Sequence, residues 1–126
     1  MSYRTPIGRA RGLGSAKEGV AHWWAQRLTA LALVPLVLWF VISVVSHVGA
    51  GRAAVLDWLQ SPIPAGLMIL LIVATFHHAQ LGVQVVIEDY VHNEAAKLAS
   101  IILVKFAALV LGLAAVLAVL SIVFGS

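Results

Sequence analysis

The sequence contains no cysteine. That absence excludes disulfides, iron–sulfur clusters held by this chain and cysteine-ligated zinc. Charge is scarce too. Asp, Glu, Lys and Arg make up 10% of the 126 residues, against about a quarter in a soluble domain. The first 22 residues are polar and glycine-rich and lack the apolar core of a cleavable signal peptide. Arg4, Arg9 and Arg11 give that stretch a faint likeness to a transit peptide, but it reads more simply as an ordered basic arm. There is no internal repeat and no low-complexity tract. No catalytic nucleophile constellation, flavin motif or set of cluster ligands is visible, so the chain by itself is not expected to be an enzyme.

What the sequence does have is apolar length. It is 62% hydrophobic, with a mean hydropathy of +1.02. Apolar runs cover residues 24–48, 65–88 and 98–124, each longer than the ~20 residues a helix needs to cross a bilayer. Helices satisfy their own backbone hydrogen bonds, as hydrocarbon requires. The expected fold is an all-α membrane protein with three transmembrane helices. A basic arm (1–23) precedes them, a loop (49–64) joins the first two and a polar turn (89–97) joins the last two. Within the loop a short interfacial helix is expected around 53–59. Asn93 is placed to cap the third span, with Glu94 in its first turn.

Orientation follows from where the basic residues fall. The arm and the start of the first span carry Arg4, Arg9, Arg11, Lys17 and Arg27, whereas the first loop carries only Arg52. Lys97 lies in the second loop. The positive-inside rule then puts the N-terminus and the second loop in the cytoplasm and the C-terminus in the periplasm. Trp23, Trp24 and Trp58 fall near the membrane interfaces, where amphipathic rings belong. The basic residues serve topology, and no nucleic-acid partner is expected. Three helices of this length bury little against one another, so a partner chain is expected alongside membrane lipid.

The stretch from Thr75 to Glu94 reads TFHHAQLGVQVVIEDYVHNE. A histidine in hydrocarbon is expensive and marks a functional site by default. At about 100° per residue, His78, Gly82 and Asp89 fall within about 40° of one another on a helix. Gly82 leaves a flat shelf one turn from the imidazole, which suits a planar group such as a porphyrin. Haem iron takes a neutral imidazole nitrogen as axial ligand. A histidine hydrogen-bonded to a neighbouring helix, with glycine there for close packing, is the alternative. His77 is rotated away by about 100°, so the two cannot share one iron. A second histidine ligand would come from another chain. Tyr90 is 12 residues from His78, roughly 18 Å along the axis. Its phenol can donate to a quinone carbonyl while Asp89 orients it or relays protons; both can equally be ordinary interfacial residues. Arg27, opening the first span, can pair with an anionic propionate or snorkel to headgroups.

The segment HHAQLGVQVVIEDYVH resembles the second helix of the D-type membrane anchor of succinate dehydrogenase, respiratory complex II, in its alphaproteobacterial branch. His78, Gly82, Asp89 and Tyr90 stand at the spacing of that family's motif. GLGSAKEGVAHWWAQRLTALAL, from Gly12 to Leu33, is similar to its N-terminal segment. The resemblance implies a multi-pass subunit of the bacterial inner membrane that binds haem b together with a cytochrome b556 (C-type) anchor subunit, with His78 as the axial ligand from this chain. It implies docking of a flavoprotein subunit and an iron–sulfur subunit, and electron transfer from succinate to ubiquinone. Tyr90 and Asp89 then belong to the quinone pocket and Arg27 to the propionate and quinone region. The competing expectations are a haem-free structural anchor, as in some fumarate reductases, and a small transporter subunit.

Overall fold

The computed structural model describes residues 13–125, with side chains from residue 19 onward. Arg4, Arg9 and Arg11 lie outside the described residues. Among the described residues four helices follow in order: α1 (Leu13–Ser46), α2 (Arg52–Gln60), α3 (Pro62–Tyr90) and α4 (Glu94–Phe124). There is no strand among the described residues. Three of the helices are long and apolar enough to cross a membrane. Each begins before its apolar run, because a helix started in hydrocarbon has no reason to stop where polarity begins. α1 starts at Leu13, in the stretch assigned to the arm.

The ends of these helices have local causes. α1 gives way to a turn in which Gly49 and Gly51 take φ of 80° and 85°, a region glycine enters without steric cost. Ser61 closes α2 and opens α3, and Pro62 occupies the first turn of α3, where a missing N–H costs nothing. Asn93 caps α4 by accepting a hydrogen bond from the Ala96 amide at 3.0 Å. Glu94 and Lys97 approach to 3.6 Å across that first turn.

α3 is the middle member of a three-helix layer. α1 packs on one side of it and α4 on the other, and α1 and α4 have no close backbone approach among the described residues. The short α2 folds under the far end, against α3 and α4. There Trp58 stacks on Trp39 at 5.8 Å and lies 4.7 Å from the His47 ring. The two packing faces of α3 lie on opposite sides because residues two apart differ by about 200° around a helix. Phe76 faces Gly112 of α4, and His78 faces Thr29 of α1.

The buried set is small: Leu59, Ala65, Leu71, Ala74, Leu81 and Val119, with Ser43 as the buried polar residue. Large apolar side chains such as Leu31 (68% exposed) and Phe106 (62%) point outward. In water that surface would be a severe liability; in a bilayer it meets lipid or another subunit.

α3 and α4 come together where Gly112 faces Phe76. A Cβ there would meet the Phe76 ring at 3.5 Å, an ordinary contact. Gly112→Ala is therefore expected to be tolerated. Gly112→Leu should cost about 1–3 kcal/mol by overpacking and lower the thermal unfolding midpoint of the detergent-solubilised protein. Equal midpoints for the two variants would show that the helices do not pack tightly at this point.

Candidate functional site

The His78 ring sits between α3 and α1. Its Nδ1 lies 3.0 Å from the Thr29 hydroxyl oxygen. That hydroxyl is also 2.7 Å from the Ala25 carbonyl and 3.1 Å from the Gln26 carbonyl of its own helix. Among the described residues, Nε2 of His78 has no hydrogen-bond partner. The ring is thus gripped through one nitrogen while the other stays open, which is the arrangement a metal-ligating imidazole needs. Among the described residues no group of three or more His, Asp or Glu side chains comes together to hold a metal ion.

The face above His78 is more crowded than the spacing alone suggests. The side-chain amide nitrogen of Gln26 would lie 3.7 Å from a Cβ at Gly82. The shelf expected at Gly82 thus has the Gln26 amide against it, at ordinary contact distance from where a Cβ would stand. His22 and Gln26, one turn apart on α1, carry buried polar atoms without partners among the described residues: Nε2 of His22 and Oε1 of Gln26. Leaving such groups unpaired costs about 1–3 kcal/mol each, so a partner outside the described residues would be favoured there.

Asp89 and Tyr90 end α3. Both are exposed, Tyr90 at 77%, and neither side chain has a hydrogen-bond partner among the described residues. Arg27 is exposed and lies over the Trp23 ring at 5.3 Å, a cation–π contact of about 0.5–1 kcal/mol. The structure brings His78 and Gly82 together at the α1–α3 seam. Asp89 and Tyr90 stand at the helix end, roughly 18 Å from His78 by helical rise.

Several features were not singled out in the sequence. Thr29 is one. Another is a hydrogen-bonded ladder on α3: Gln80 donates to Gln84 at 3.2 Å, and Gln84 donates to Glu88 at 3.0 Å. Its signal was the four-residue spacing of polar side chains inside an apolar span. The ladder borders a groove of about 680 Å³ that lies mainly between α3 and α4, reaches His22 of α1, and is lined in its polar part by His22, His77, Gln80, Gln84 and Lys105. His77 faces this groove because it is turned by about 100° from His78. His78 does not line it.

Residues 1–112 match the family model described as succinate dehydrogenase/fumarate reductase transmembrane subunit. The chain is 35% identical over 103 residues to the succinate dehydrogenase hydrophobic membrane anchor subunit of Rickettsia bellii (strain RML369-C), covering 82% of each chain. It is 36% identical over 106 residues to the protein of that name from Paracoccus denitrificans, covering 84% of this chain and 82% of the relative. A succinate dehydrogenase membrane anchor subunit from Reclinomonas americana is 32% identical over 96 residues, or 74% of this chain and 80% of the relative. No solved structure matches the chain. The matched region takes in all of α1, α2 and α3 and more than half of α4. On that extent of agreement, the chain belongs to the succinate dehydrogenase/fumarate reductase transmembrane subunit family.

Proposed function

We propose that the chain is the hydrophobic anchor of a succinate dehydrogenase that holds one side of a haem b and part of a ubiquinone pocket. It would dock a flavoprotein subunit and an iron–sulfur subunit, so that electrons from succinate reach ubiquinone in the bacterial inner membrane. The observation that carries this reading is the His78 imidazole, fixed through Nδ1 to Thr29 with Nε2 open. His78 would ligate the haem iron from this chain, and a further ligand would come from a cytochrome b556-type second anchor. When bound, the haem supplies a one-electron redox centre inside the membrane.

The chain's own residues have separate tasks. α1 and α3 keep water away from the imidazole. Tyr90, exposed at the end of α3, donates its phenolic proton as a hydrogen bond to a quinone oxygen, and Asp89 beside it orients the pair or relays protons. Arg27 offers a cation near the same end for a propionate. The exposed apolar faces of α1, α3 and α4 are suited to the second anchor and to lipid.

The Gln26 amide against Gly82 favours a second reading, a haem-free structural anchor in which the glycine serves helix packing alone. Family membership sets aside the transporter reading. A reduced-minus-oxidised spectrum of the purified complex separates the two that remain. His78→Ala should abolish or shift the b-haem Soret band; an unaltered band would remove His78 from the site.

The quinone role is tested independently. Tyr90→Phe should cut quinone reduction at least tenfold, the loss of one transition-state hydrogen bond worth about 1.4 kcal/mol. Electron transfer from succinate to a soluble dye should persist. Parallel loss of both activities would point to a docking defect instead.

Orientation can be read without background labelling, since the chain has no cysteine. An Ala50→Cys variant should react with a membrane-impermeant maleimide from the periplasmic side, and His92→Cys only after the membrane is opened. The reverse pattern would invert the topology.

A further inference from the structure

We infer that Thr29 is a positioning residue for His78: its hydroxyl accepts the Nδ1 proton and so presents Nε2 with a free lone pair. This rests on the haem reading above and adds a second residue of this chain to it.

The Thr29 hydroxyl has one hydrogen and three neighbours within reach: the Ala25 carbonyl at 2.7 Å, the Gln26 carbonyl at 3.1 Å and Nδ1 of His78 at 3.0 Å. Carbonyl oxygens can only accept. The shortest contact, to Ala25, matches the usual O–H···O length, so the hydroxyl proton belongs there. The hydroxyl oxygen then has only lone pairs left for the imidazole. A favourable contact with Nδ1 requires a proton on Nδ1. A neutral imidazole carries one ring proton, so Nε2 is the bare nitrogen. The opposite choice would have Thr29 abandon the carbonyl one turn back and would put the ring proton on Nε2, where it has no acceptor among the described residues.

The same contact does more than choose a tautomer. Accepting the Nδ1 proton makes the ring a stronger donor at Nε2 and fixes the plane in which it approaches a metal. A valine at position 29 keeps the shape of threonine and loses both effects. A serine keeps the hydroxyl.

The test compares membrane complexes carrying the unsubstituted chain, Thr29→Val, Thr29→Ser and His78→Ala. Three quantities are read: haem retained through detergent exchange, the midpoint potential of the b-haem, and its low-spin EPR signal. Thr29→Val should retain haem about tenfold less tightly, titrate at a higher potential because its ligand donates less, and show a shifted EPR signal. Thr29→Ser should restore all three. If Thr29→Val matches the unsubstituted complex in potential and EPR signal while His78→Ala alters both, the role of Thr29 is overturned and His78 stands as ligand. If His78→Ala also changes nothing, the haem reading falls and takes this inference with it. Should Thr29→Val not assemble, Thr29→Ala, which cannot crowd the ring, is judged by the same two outcomes.

Discussion

An imidazole inside hydrocarbon needs a partner for each of its nitrogens, and much of this molecule is arranged around supplying the first. The partner for Nδ1 is a threonine on a different helix, so α1 must run beside α3 at a fixed height and rotation. Close approach on that side continues one turn further along, where Gln26 reaches over Gly82. Thr29 can play this part because its own hydroxyl proton goes back to the carbonyl four residues earlier, a habit of threonine in helices. A side chain usually regarded as neutral helix filler thus joins two spans and sets the state of a third group.

The second constraint is the scarcity of burial. Six apolar residues and one serine are buried among the described residues, and the middle helix is the one both long neighbours touch. Lipid gives no hydrophobic drive for helices to associate. What keeps this layer together is close packing at small residues, such as Phe76 against Gly112, and polar contacts between helices. Nε2 of His22 and Oε1 of Gln26 are buried and have no partner among the described residues. The His78 ring lies on the seam between α1 and α3, and the Tyr90 phenol lies at the exposed end of α3.

Much of this was legible in the sequence because the governing signals are one-dimensional. Uninterrupted apolar runs give the spans, Asn93 before Glu94 gives the cap, and equal spacing puts His78 and Gly82 on one stripe. The beginning of α1 was not legible: a glycine-rich polar stretch looks like an arm, and only its continuity with the span makes it helical from Leu13. Thr29 was hidden for a different reason. Its importance depends on the register between two helices far apart in sequence, which no local pattern encodes. The Gln80–Gln84–Glu88 ladder was visible in spacing, but glutamines four apart acquire meaning only when their surroundings are known to be apolar.

The length of α1 carries a mechanical corollary. Its 34 residues extend about 51 Å at 1.5 Å per residue, well beyond the ~30 Å of hydrocarbon even when tilted by about 20°. The apolar, membrane-length part of the helix is Gly19–Ser46, so part of the surplus lies at the end that begins with Leu13. Removing one helical turn from that end would shorten the helix by about 5.4 Å and still leave more than enough to span the hydrocarbon.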